Sequence, residues 1–301
     1  MYGQTIRKFR KSKNITLKEA AGEALSISQL SRFETDKSMI PVDLFYKVLE
    51  NLNTTTEEFE YLRGQKKHKE IEDIFNRIED YNNNRKLDKL RHLNTELKEN
   101  RPTPYSWEQF LIYFIESILK LYEPSEETVE QPVLDYLMQV EDWGEMELRL
   151  YAMFGFTLDI ETTYFLMRTA LKRSQQYLNV PATANLLYVI LSNNFSSFLN
   201  ADHMDYAEET IELFEKNYAE KAKNIQPHVD FLFNKGVLHF KKKEAEKAIQ
   251  YCEEALSLCK LFKQKDLEEM FTKRYKNWRD NYENPKFKEL TIQVGFYETI
   301  D

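Results

Sequence analysis

Glycine and proline are scarce in this 301-residue chain, at 7 and 8 residues. Together they make up about 5% of it, against a usual ~12%. So few turn formers leave little material for tight hairpins, which argues against sandwiches, barrels and propellers. Cysteine is scarcer still, with Cys252 and Cys259 alone. Seven residues apart on a helix, they stand about 10 Å apart along its axis, beyond disulfide reach. Two thiols are too few for a structural zinc finger, and they read as small core residues in a reducing compartment. No basic-then-apolar leader follows Met1. No apolar run approaches the ~18 residues of a membrane span. A cytoplasmic protein is expected.

Catalytic signatures are missing as well. No P-loop, His-Glu-x-x-His, Gly-x-Ser-x-Gly or dinucleotide fingerprint occurs. The histidines at 68, 92, 203, 228 and 239 are scattered, without a second His or Cys at ligand spacing. Asp202-His203-Met-Asp205 reads as a helix start with Asp202 at the cap. The expectation is therefore a non-enzymatic chain without metal or cofactor.

What is present favours helix. Charged residues are 31% of the chain, and strings of Leu, Glu, Lys and Asn run throughout. Aromatics reach 14% and recur at helical rather than alternating spacing. The expected class is all-α. The net charge of −8 is uneven: residues 1–66 hold 11 Lys/Arg against 9 Asp/Glu, so the remaining 235 carry −10. A slightly basic head thus precedes an acidic body, which suggests two jobs.

Five short helices can be read in residues 1–65. The first covers roughly Gly3–Lys13, with Ile6 and Phe9 inward. Thr16-Leu-Lys-Glu19 is a capping box, and Ser26-Ile-Ser-Gln29 is a second one ten residues later. Pro41 suits the start of a fourth helix with Leu44, Val48, Leu49 and Leu52 at core spacing. Thr54-Thr-Thr-Glu57 opens a fifth, carrying Phe59 and Leu62. Two short helices separated by a few residues, with Ala20 and Ala21 permitting close crossing, form a helix-turn-helix.

Residues 3–62 resemble the helix-turn-helix of phage-repressor (XRE/Cro) type. Within that class, Leu25-Ser-Ile-Ser-Gln-Leu-Ser-Arg-Phe-Glu34 is similar to the Rgg/MutR regulators of Gram-positive bacteria. The resemblance implies double-stranded promoter DNA as a partner and a structural ion pair between Arg10 and Glu34. The outer face of the second helix shows Ser26, Ile27, Ser28, Gln29 and Arg32. Arg32 can fork to guanine, Gln29 can pair with adenine, Ser28 can serve either, and Ile27 can touch a thymine methyl. Ser26, Thr16, Lys18 and Lys37 suit phosphates, which fix register without reading sequence.

From residue 66 to 284 the chain reads as consecutive helices. Breaks fall at 82–84, 100–104, 123–124, 142–144, 179–181, 200–202 and 225–227. One hairpin per ~40 residues is the signature of an α-solenoid. His228–Phe262 resembles a tetratricopeptide repeat, with Gly236, Ala248 and Ala255 where paired helices touch. Divergent repeats of this kind follow the DNA-binding head in the Rgg/MutR family, and the resemblance extends over nearly the whole chain. It implies a short hydrophobic signalling peptide bound on the concave repeat surface, as in quorum sensing.

Asn side chains can clamp an extended peptide backbone, and Asn193, Asn194 and Asn234 interrupt otherwise apolar helices. Arg149, in a segment similar to the Glu-Leu-Arg-Leu-Phe stretch of Rgg proteins, can meet a peptide carboxylate. Phe154, Tyr188, Phe195 and Phe231 are the candidate apolar wall. Residues 285–301 alternate like a strand from Lys288. They form a C-terminal extension that pairs across a dimer, caps the last repeat or lies in the groove. The functional expectation is a homodimeric, peptide-controlled transcription regulator. A repeat scaffold for a protein partner and a peptide-independent dimeric repressor are the alternatives.

Overall fold

The computed structural model describes residues 2–64, 66–124, 128–219 and 225–289. Among them the chain forms α-helices and no strand. It divides at Glu79/Asp80 into two compact units. The first holds α1 (Tyr2–Ser12), α2 (Leu17–Ala21), α3 (Ile27–Glu34), α4 (Val42–Asn51) and α5 (Thr56–Arg63). The division falls inside α6 (Lys66–Asn83).

Local chemistry starts each short helix of the first unit. Thr16 Oγ1 accepts from the Glu19 N–H, while the Glu19 carboxylate accepts from the Thr16 N–H. Ser26 and Gln29 make the same reciprocal pair at the head of α3. Gly22, at φ +53, ends α2 in a conformation that side chains resist. The fifth helix is capped one residue later than its sequence suggests, by Thr55 with Glu58. Thr54 turns inward instead, its hydroxyl donating to Leu52 O and accepting from the Lys13 ammonium. Leu62, on the same helix, is exposed rather than in the core.

The amphipathic faces meet in one core. Ile6, Phe9, Ala20, Ala21, Leu25, Leu30, Phe33, Val48, Leu49, Leu52 and Phe59 are all buried. Helix α1 packs on α3 and α5, and α2 packs on α3 and α4. The small faces of Ala20 and Ala21, at most 1% exposed, allow the close α2–α3 approach.

The second unit continues with α7 (Leu87–Glu99), α8 (Trp107–Tyr122), α9 (Gln131–Gln139), α10 (Glu145–Phe154) and α11 (Ile160–Arg173). Then come α12 (Pro181–Asn200), α13 (Met204–Phe214), α14 (Ile225–Lys241), α15 (Ala245–Leu261) and α16 (Lys265–Asp280). Helix α7 packs on α8, α9 on α10, α11 on α12, α12 on α13, α13 on α14, α14 on α15 and α15 on α16; α10 also packs on α12, α12 on α14, and α14 on α16. This stacking of helix pairs is the layout of a helical-repeat array. The α14–α15 crossing depends on Gly236. A Cβ there would stand 2.5 Å from Cys252 Sγ and 3.0 Å from Ala248 O.

Scarce glycine is met by unusual helix ends. Asn14, Asp36, Asn53, Arg85, Arg101, Asp202, Lys243 and Lys263 each stand two residues past a helix, at positive φ. Asp202 therefore does not cap the following helix as its sequence suggests. It is the left-handed residue closing α12, and His203 takes the cap position of α13. The breaks at Lys243 and Lys263 carry no Gly, Pro or Asn, which is why composition did not mark them. Residues 285–289 follow α16 without strand, and the remainder of the C-terminal extension, 290–301, lies outside the described residues.

Candidate functional site

Helix α3 is anchored from behind and open in front. Leu30 and Phe33 face the core, whereas Ser26, Ile27, Ser28, Gln29 and Arg32 are all exposed. Behind it, Arg10 Nε and Nη2 meet Glu34 Oε1 and Oε2 at 2.6 and 2.8 Å. Arg10 Nη1 bonds Ile15 O at 3.0 Å. The Glu34 bond raises the Arg10 pKa, so this cation is engaged as scaffold.

On the open side, Arg32, Lys18 and Lys37 are exposed and form no ion pair among the described residues. Thr16 sits at the cap of α2, the helix packed against α3. The capping box restricts Gln29: its Oε1 accepts from Ser26 N–H at 3.0 Å and from Ser26 Oγ at 2.9 Å. A bidentate adenine contact needs that oxygen, so Gln29 must leave the cap to make one. Ser26 Oγ is likewise committed, accepting from the Gln29 N–H and lying 3.1 Å from Ser28 Oγ. Arg32 is the long polar side chain of α3 with all its donors available.

The second unit holds a small cavity between α10 and α12, of about 40 Å³. Tyr151, Ala152, Gly155, Phe156, Ile190, Asn193, Asn194 and Ser197 line it. A space of this size takes one small group or a few waters, so it is a single anchoring point rather than a whole peptide groove. Its floor is a hydrogen-bonded chain. Tyr151 OH donates to Thr163 O and accepts from Asn194 Nδ2, each at 2.7 Å. Burial drives the Tyr151 pKa upward, which keeps the phenol neutral and able to donate. Asn194 is thereby fixed in orientation, 6% exposed, beside the more open Asn193.

The structure brings Asn193 and Asn194 to this cavity and leaves the other six candidates elsewhere. Phe154 and Phe195, each 1% exposed, are core residues, and the aromatics on the cavity wall are Tyr151 and, beyond the end of α10, Phe156. The reason is the tight 3-10 turn Gly155–Thr157, which breaks the phase of α10 just before Phe156. Tyr188 donates to the buried Asp230, and Asn234 Nδ2 donates to Ser192 Oγ at 3.2 Å. Both pairs tie α12 to α14 internally. Phe231 stacks on Phe214, with ring centroids 5.4 Å apart. Arg149 is paired within its own helix to Glu145 at 2.7 Å. Ser197 was missed, although its place four residues after Asn193 on the same helix face is a readable signal.

Among the described residues no group of three or more His, Cys, Asp or Glu could hold a metal. No described helix is long and apolar enough to cross a membrane.

Two family models match separate parts of the chain. Residues 87–273 match the family described as HTH-type transcriptional regulator Rgg, C-terminal domain. Residues 6–59 match a helix-turn-helix family. The chain is similar in structure to the Streptococcus dysgalactiae SHP pheromone receptor Rgg2, at 22% identity and a TM-score of 0.72, covering 92% of this chain and 99% of that one. It is similar to PrgX in complex with cCF10, at 14% identity and a TM-score of 0.70, covering 90% and 97%. A bacterial peptide pheromone–receptor complex matches at 15% identity and a TM-score of 0.70, covering 96% and 99%. At these identities the likeness establishes a shared fold.

Proposed function

The chain belongs to the Rgg family of helix-turn-helix transcriptional regulators, and we propose that it is a cytoplasmic homodimer whose action on promoter DNA is set by a short hydrophobic peptide. In this reading residues 1–65 bind DNA, 66–284 sense the peptide and dimerise, and 285–301 form a C-terminal extension. It is a regulator and not an enzyme.

The observation that carries the DNA reading is the open face of α3 beside three unpaired cations. Arg32 and Ser28 are the base readers, Ile27 supplies an apolar contact, and Gln29 serves mainly as the cap. Ser26, Thr16, Lys18 and Lys37 meet phosphates. In a dimer the two α3 helices enter successive major grooves ~34–36 Å apart. Met39, Val42 and Tyr46 support such pairing, because these large apolar side chains are exposed around the start of α4, close behind α3.

The peptide reading rests on the Asn193–Asn194–Tyr151 cavity and on the similar solved structures, described as a pheromone receptor and a peptide pheromone–receptor complex. An amide pair beside an apolar wall offers both a donor and an acceptor to a peptide backbone. Arg149 meets the peptide carboxylate once it exchanges Glu145 for it. Phe154, Tyr188, Phe195, Phe231 and Asn234 support the cavity from the core. Binding acts on DNA through a difference in affinity between two arrangements of the dimer.

Fluorescence polarisation with promoter DNA flanking the coding sequence, with and without short hydrophobic peptides encoded nearby, tests both halves. Arg32→Ala is expected to weaken specific DNA binding about tenfold or more. Asn193→Ala is expected to weaken peptide binding while leaving DNA binding intact. Unchanged DNA affinity in Arg32→Ala sinks the first half, and absence of any peptide affinity sinks the second.

A further inference from the structure

The last described residues of the chain lie in a set of contacts that reads them as a ligand would be read. Glu289 Oε2 accepts from Arg274 Nε and Nη2 at 3.1 and 2.9 Å. The same oxygen accepts from the Trp278 indole N–H at 2.8 Å. The Glu289 backbone carbonyl accepts from Asn200 Nδ2 at 2.9 Å, and the Phe287 carbonyl accepts from Lys241 Nζ at 3.3 Å. The Phe287 ring stands edge-on to Trp278, with centroids 4.8 Å apart.

Two features distinguish this from an ordinary surface contact. The backbone carbonyls of Phe287 and Glu289 are both held, by side chains of two different helices, α14 and α12. The carboxylate partner is also built in. The Arg274 side chain is 11% exposed and lies over the rings of Phe233 and Phe271, at 4.6 and 5.4 Å. A guanidinium packed among aromatics is costly to leave without an anion. Trp278, itself 4% exposed, directs its only polar group at the same point.

We propose that Asn200, Lys241, Arg274 and Trp278 form a second binding site, for an extended peptide segment bearing a carboxylate, and that the chain's own residues Phe287–Glu289 are its resident occupant. The site shares no residue with the Tyr151–Asn194 cavity. It adjoins that cavity's helix face, since Asn200 stands three residues beyond Ser197 on α12. A short tether from α16 gives the resident segment a high local concentration, so a free peptide competes only when it binds well or when the resident contact is weakened.

The test uses the full-length chain and a labelled synthetic peptide copying residues 284–290, followed by fluorescence polarisation. Glu289→Ala removes the resident carboxylate and leaves all four donor residues intact. The peptide is expected to bind this variant about tenfold or more tightly than the unaltered chain, where the resident segment competes. A peptide with Gln in place of its Glu is expected to lose that binding. Amide exchange at 286–289 is expected to accelerate in the variant. Phe287→Ala, also confined to the resident segment, carries the same readouts if Glu289→Ala lowers the helical circular dichroism. Equal affinity for both chains, absence of binding to either, or indifference to the Glu-to-Gln change overturns the proposal.

Discussion

Arg10 and Glu34 form a two-pronged ion pair, at 2.6 and 2.8 Å, that fixes α1 to the last residue of α3. Glu34 is 3% exposed. Removing it strands a partly buried guanidinium, so Glu34→Ala is expected to cost the first unit about 3 kcal/mol. The double change Arg10→Met with Glu34→Leu is expected to cost less than the single one, because no charge is left unpaired. Urea denaturation read on amide exchange in α1 and α3 measures both. Equal losses in the two variants would show the pair to be energetically idle.

The α14–α15 crossing has room for hydrogen and little else at Gly236. Gly236→Ala drives a methyl against Cys252 Sγ and Ala248 O, at a cost of about 1–3 kcal/mol. Adding Cys252→Ala removes the sulfur but not the carbonyl, so partial recovery is expected. Thermal melts of the three chains decide it, and a tolerated single substitution is the contrary result.

Tyr151 holds Asn194 and Thr163 through one hydroxyl. Tyr151→Phe leaves a buried amide N–H and a buried carbonyl without that partner, an expected loss of about 2 kcal/mol. Chemical denaturation checks the stability. Hydrogen exchange localised to α10 and α12 separates this cause from a diffuse effect.

Lys263 stands in the left-handed region, at φ +56. Glycine adopts that conformation without the steric penalty of a Cβ, so Lys263→Gly is expected to stabilise the second unit by about 0.5–1 kcal/mol, net of its greater freedom when unfolded. A higher melting temperature is the expected reading; a lower one shows that the Lys263 side chain contributes more than its backbone costs.

Carboxylates held below their ordinary range, Asp80 beside Lys86 among them, set an acid limit. A backbone hydrogen bond from Thr16 holds Glu19 below its ordinary 4.5, and one from Thr162 holds Asp159 below 3.8. Lys247 and then His239 hold Glu244 below 4.5. A folded-state pKa below the unfolded one means stability that is fully present above about pH 4.5 and lost as pH falls through the depressed values. Urea midpoints are therefore expected to hold level from pH 7 to 5 and to decline below 4. Glu19→Gln, Asp159→Asn and Glu244→Gln should each make that decline shallower.

Much of the fold is legible because it is written within single turns of helix. Thr16 with Glu19 and Ser26 with Gln29 lie three residues apart, so their boxes could be seen before any tertiary contact was known. The Gly236, Ala248 and Ala255 spacing announced a close crossing for the same reason. The candidate site was harder. Helix α12 is apolar nearly all round from Leu186 to Leu191, because stacked repeats bury it on several sides. Its periodicity therefore could not show that Asn194 is held by Tyr151, 43 residues away, at the cavity. Phe156 rather than Phe154 faces the cavity, because a one-turn 3-10 segment resets the phase between them.

The sequence by itself determined that the chain is helical, that a slightly basic head precedes an acidic body, and where most helices begin. Those properties depend on caps, charges and spacings a few residues long. Only the tertiary structure decided which aromatics stand open, how Lys and Arg close helices that glycine closes in other chains, and that Glu289 lies on Arg274 and Trp278. Each of those outcomes depends on packing between residues distant in the chain, which removes water from one helix face and leaves it on another.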